Sequence, residues 1–296
     1  MSILITSILW FGLIVICQNQ SVKLNSRFHR IANGIFFNPN SYPFVVGLKI
    51  VLSDKKVDYC TGTLLSPLYV LTAAHCISTF KSVEVFRSGP KINFENIRTV
   101  VEFTKHPNYN EFSMIADLCL MKMNRPFENI NNYAKLSQNF KVIPNRKSLD
   151  CVILGIGKQT VGFPKKGAQL AMVKVNYGPN ACLLPSDNTI VSNAIKESWK
   201  FFLCPEPNSS MACVGDSGGA LICQDFLLGV TSHAYYYLPG MSHQEMNCGD
   251  SRVQTRYVFV NKYLKWIQNI ALNEAPNLKY NSIILILFLK IISFLK

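Results

Sequence analysis

The chain is 296 residues long, enough for one large domain or two, with ten cysteines and a formal net charge of +13. Ten cysteines argue against a reducing cytosol and for a secreted protein. The positive balance favours anionic partners such as acidic substrates, glycans or membrane surfaces. No nucleic-acid motif or aromatic-spaced basic stripe accompanies it, so nucleic acid is not an expected partner.

In chain order, the first element is the weakly polar to apolar run Ile3 to Cys17. It is too short to span a bilayer comfortably and reads as a signal peptide, residues 1–17, with an uncleaved anchor as the alternative. Polar residues 18–30 follow, ending in Arg30 just before Ile31-Ala32-Asn33-Gly34. Short apolar runs such as Tyr69-Val70-Leu71, Val152-Ile153-Leu154 and Leu227-Leu228-Gly229-Val230 are separated by Gly, Pro and Asn, which predicts many short strands and an all-β core. Only Asn261 to Leu272 has helical spacing, with Leu264, Trp266, Ile267 and Ile270 on one side. His106, within Lys105-His106-Pro107-Asn108-Tyr109, is expected in a surface turn.

Three segments carry chemistry. Leu71-Thr72-Ala73-Ala74-His75-Cys76 offers a histidine, and Ile115-Ala116-Asp117-Leu118-Cys119-Leu120 embeds a carboxylate in an apolar run, which is costly unless it is hydrogen-bonded. Gly215-Asp216-Ser217-Gly218-Gly219 offers a serine in a backbone that can approach a substrate closely. A serine hydroxyl needs a base to become a nucleophile, and the oxyanion it generates needs N–H donors.

These segments, in the order His, Asp, Ser, resemble those of trypsin-like serine proteases of the chymotrypsin fold. The resemblance implies two six-stranded antiparallel β-barrels with a C-terminal helix and an active site in the cleft between them. His75, Asp117 and Ser217 would be catalytic, with the N–H groups of Gly215 and Ser217 as the oxyanion hole. Ser232, in Gly229-Val230-Thr231-Ser232, would support Asp117. Residues 18–30 would be an activation peptide. Cleavage after Arg30 would free the amine of Ile31 to pair with Asp216, where Asn33 replaces the usual glycine. The protease domain would cover residues 31–272.

The same resemblance implies four disulfides, Cys60 with Cys76, Cys151 with Cys223, Cys182 with Cys204, and Cys213 with Cys248. Cys119 is left as a buried free thiol. It also puts Met211 and Ala212 at the floor of the specificity pocket and Ala234 and Thr255 on its walls. Without a carboxylate at Met211, cleavage after Lys or Arg is disfavoured, and the narrowed walls predict small aliphatic residues before the scissile bond. His233 stands where the family usually has tryptophan, and Tyr235 to Asn247 lengthens a loop that would either flank or cover the cleft.

Asn208, in Asn208-Ser209-Ser210, is a glycosylation acceptor. Residues 273–296 form a linker and a hydrophobic tail that is either a membrane attachment, such as a lipid-anchor signal, or a simple extension. The expected partners are a protein or peptide substrate, an Arg-cleaving activator and protein inhibitors. Neither metal nor cofactor is required. A catalytically silent homologue acting as a binding or regulatory module is the alternative from a different class.

Overall fold

The computed structural model describes residues 31–78, 80–87, 97–138, 148–157, 167–183, 196–208, 210–238 and 247–272. The leader, Arg30, the hydrophobic tail and most of the 235–247 loop lie outside these residues.

A short strand, β1 (Ile35–Phe36), is followed by six strands of a first barrel: β2 (Val45–Leu52), β3 (Val57–Leu64), β4 (Tyr69–Thr72), β5 (Phe80–Arg87), β6 (Arg98–Lys105) and β7 (Cys119–Met123). They close in the order β2-β3-β4-β7-β6-β5, every pair antiparallel. Val46, Leu48, Val70, Val85 and Met121 share one face of these strands and fill its interior, while Leu71 and Leu120 are buried on the opposite face.

The second barrel uses β8 (Leu149–Gly155), β9 (Gln169–Asn176), β10 (Phe202–Pro205), β11 (Ala220–Cys223), β12 (Phe226–Tyr236) and β13 (Val253–Phe259). The β8–β9 pairing closes the ring, and β1 adds to the outside of β9. β9 shows the expected period of two, with Ala171, Val173 and Val175 inward and Met172 and Lys174 outward. Each fully buried aliphatic side chain of this kind stabilises the fold by roughly 1.5–3 kcal/mol.

One apolar cluster runs across both barrels, joining Leu48, Leu71 and Leu120 of the first to Leu154, Ala220 and Val230 of the second. The barrels therefore share a packed seam, which positions loops from each against the other.

The helix expected at the C-terminus is present. Residues 260–272 are helical, but as a 3₁₀ turn (Val260–Lys262), one α-helical turn (Leu264–Ile267) and a wider π turn (Gln268–Leu272). Ile267 and Ala271 bury their side chains against the seam cluster, so packing rather than helix regularity sets the shape.

Candidate active site

β4 ends at Thr72 and the chain turns into a 3₁₀ segment, Ala74–Ile77, that carries His75 at the barrel edge. Just before β7 the backbone bends through Ala116, at φ +55°, and buries Asp117 completely. Asp117 gathers three donors. Its Oδ1 accepts the His75 backbone N–H at 2.8 Å, and its Oδ2 accepts His75 Nδ1 at 2.7 Å and the Ser232 hydroxyl at 2.5 Å. Burial alone would raise the Asp117 pKa. The hydrogen bond from the His75 ring, the charge of that ring and the bonds from Ser232 and the His75 amide outweigh it, holding the group below the usual carboxylate value.

An ionised carboxylate can only accept, so His75 Nδ1 carries a proton, and in the neutral ring Nε2 is then the nitrogen with the lone pair. The His75 side chain is 28 % exposed, which leaves it open to the cleft. Ser232 spends its one proton on Asp117, so the contact of 3.0 Å to His233 makes Nδ1 of that ring a donor too. Burial, then the positive charge of Arg256, pushes the His233 pKa well below 6.5 and keeps the ring neutral.

Half-buried Ser217 sits between Gly215 at φ +91° and Gly218 at φ +80°, backbone that a side chain would strain. The loop is tied on both sides. Asp216 N–H donates to Cys213 O, Gly218 N–H to Thr231 O, and Thr61 N–H, from the first barrel, to Ser217 O at 2.8 Å. Asp216 is buried, accepts the Cys213 N–H at Oδ2 and presses its carboxylate against Gly155, where any Cβ would collide. Ile31 is also buried, within the second-barrel core, and Asn33 takes the left-handed φ of +52° that suits Asn better than other side chains. The neighbouring Ala32 N–H donates to Met211 O at 2.9 Å.

A cavity of about 250 Å³ adjoins Ser217. It is lined by Met211, Ala212, Ala234 and Thr255 together with Ser232 and His233. Every lining side chain is uncharged, the neutral His233 included. Val214, 68 % exposed at the rim, and Thr231 were not expected there. Both sit in the backbone beside motif residues, so motif matching passed over them.

The four disulfides are Cys60–Cys76, Cys151–Cys223, Cys182–Cys204 and Cys213–Cys248. Cys119 is a buried free thiol whose pKa burial pushes up to about 12. Asn208 is exposed. His106 corrects its expectation. It does begin a turn, but its ring is buried edge-on against Tyr263 at 4.9 Å and Trp266 at 4.8 Å, and Nδ1 accepts the Asn108 N–H. The distant helical segment supplied the rings that the local sequence could not predict. Among the described residues no group of His, Cys, Asp or Glu could hold a metal ion, and no helix is long and apolar enough to cross a membrane.

Two closed antiparallel barrels with these loops at their seam define the chymotrypsin-fold class. The trypsin family profile matches residues 31–267, and the chain belongs to that family. It is 27 % identical to an ovochymase of Halocynthia roretzi over 80 % of this chain and 15 % of that protein. It is 26 % identical to coagulation factor XII of Rattus norvegicus, over 86 % and 42 % respectively. Kallikrein-15 of Saguinus oedipus is 27 % identical over 78 % of this chain and 87 % of its own length. The chain thus spans less than half the length of the first two relatives. Among solved structures, HL collagenase (TM-score 0.59, 22 % identical, 81 % of this chain and 97 % of that one) and GrC (TM-score 0.62, 21 %, 80 % and 97 %) share the fold.

Proposed function

We propose that this protein is a secreted serine endopeptidase, made as a zymogen, that hydrolyses peptide bonds through an acyl-enzyme and prefers small aliphatic residues before the scissile bond. The observation that carries the reading is the Asp117 carboxylate accepting Nδ1 of the His75 ring at 2.7 Å, which fixes the tautomer of the neutral ring. In this mechanism His75 Nε2 takes the Ser217 proton as Oγ attacks the carbonyl. The N–H groups of Gly215 and Ser217 stabilise the tetrahedral oxyanion. His75 then returns the proton to the leaving amine, and water hydrolyses the acyl-enzyme by the same steps. Residues 1–17 act as signal peptide and 18–30 as activation peptide. Residues 31–272 form the protease domain, and cleavage after Arg30 by an Arg-specific activator frees the amine that pairs with Asp216.

The pocket supports the specificity. Met211 offers no counter-charge, so a buried Lys or Arg would cost several kcal/mol, and Ala234 and Thr255, which line the cavity, carry side chains that narrow its walls. A peptide-library profile of the activated chain tests this. Ala and Val are expected to lead at the cleaved position, and Ala234→Gly with Thr255→Gly to admit bulkier residues. A dominant Arg or Lys preference would contradict the pocket reading.

A further inference from the structure

Thr61 stands in β3 immediately after Cys60, whose disulfide holds the residue next to His75. It is fully buried, and every polar group it owns is used across or along the barrel seam. Its N–H donates to Ser217 O at 2.8 Å, and its hydroxyl donates to Gly215 O at 3.0 Å. The same hydroxyl accepts the Ile156 N–H at 3.0 Å from the second barrel, and the Thr61 carbonyl accepts the Thr72 hydroxyl at 2.9 Å. The carbonyls held by Thr61 belong to Gly215 and Ser217, the same two residues whose N–H groups form the proposed oxyanion hole. Gly215 and Gly218 give this segment wide conformational freedom, so its orientation depends on such external ties.

We infer that Thr61 is a positioning residue whose hydroxyl holds the Gly215–Ser217 backbone in the orientation that aims its N–H groups at the oxyanion. This inference rests on the endopeptidase reading above. The backbone tie to Ser217 would be available to any residue at this position. The tie to Gly215 requires a hydroxyl. Its removal takes the hydroxyl donor from Gly215 O in a buried site, where the loop gains by shifting to satisfy that carbonyl.

The test compares Thr61→Val, equal in shape without the hydroxyl, with Thr61→Ser, which keeps it, in full-length protein cleaved after Arg30. Thr61→Val is expected to lower kcat about 10- to 100-fold with KM nearly unchanged, because a small misalignment acts on the transition state. Thr61→Ser is expected to restore most of the rate. Amide hydrogen exchange across residues 213–219 is expected to rise about tenfold or more in Thr61→Val and not in Thr61→Ser. If the valine variant does not fold, Thr61→Ala, which introduces no bulk, takes its place. Equal kcat in wild type and Thr61→Val, a loss confined to KM, or equal losses in the valine and serine variants would overturn the inference. A cleaved wild type that turns over no peptide would instead defeat the endopeptidase reading. The exchange comparison then still decides, and unchanged protection in Thr61→Val rules out the positioning role.

Discussion

Asp117 and Arg256 are both fully buried and both act on His233, yet their surroundings treat charge in opposite ways. The carboxylate accepts three hydrogen bonds from two residues on separate barrels. The guanidinium donates one, from Nη2 to Leu183 O, and otherwise lies over the rings of Tyr235 and Phe202 at 4.6 Å and 5.6 Å. Its Nε and Nη1 have no hydrogen-bond partner among the described residues, and burial lowers its pKa to about 10. A charge held by converging donors orients its neighbours. A charge held chiefly by ring faces costs desolvation without orienting His75. The difference separates residues the proposed reaction depends on from those that only fill the wall behind the cleft.

Breaking the Asp117 side of the comparison should have the larger effect. Asp117→Asn preserves shape but turns one acceptor oxygen into an amide donor, favouring the wrong His75 tautomer. Turnover of a small-residue peptide is expected to fall about 10⁴-fold. Steady-state kinetics on cleaved protein check this, and a loss below about tenfold would remove Asp117 from its proposed role. Replacing Arg256 by Met should act in the other direction. Removing a buried, poorly paired charge while keeping the apolar stem is expected to leave stability unchanged or raise it by about 1–4 kcal/mol. Urea unfolding at neutral pH reads this directly, and a clear destabilisation would show that the ring contacts hold more than they cost.

The motifs made much of this legible. Local runs around His75, Asp117 and Ser217 identified the segments that the fold brings to one seam, and cysteine positions within the family pattern gave the same bridges found in the structure. Thr61 and His106 were not legible. Thr61 is an ordinary strand residue until the second barrel docks on it, and the His106 ring is buried by Tyr263 and Trp266, far along the chain. Helical spacing over Asn261 to Leu272 does predict the C-terminal helix, although spacing does not distinguish 3₁₀, α and π turns.

The smallest expected effect sharpens the electrostatic side. His233 and His106 both have pKa values lowered by burial, so the unfolded chain takes up protons near 6.5 while the folded chain resists. The unfolded state then binds more protons, and stability falls as pH drops below about 6.5. Arg256 and His75 disfavour the protonated His233 and Asp117 favours it, so His233→Gln should flatten part of this decline. Asp117, with its pKa lowered in the folded state, adds a further loss only below the usual carboxylate range. Urea midpoints measured from pH 7 to pH 4.5 for both proteins check the slope. A decline equally steep in His233→Gln would assign it elsewhere.

The most direct test of the central claim is labelling with a serine-directed phosphonate bearing a small aliphatic side chain, with the modified residue located by mass spectrometry. Protein cleaved between Arg30 and Ile31 is expected to take up one label, on Ser217, while uncut Arg30→Gln protein and cleaved His75→Ala protein react slowly or not at all. Cleaved, folded wild type that leaves Ser217 unlabelled, or His75→Ala that labels at the wild-type rate, would contradict the account.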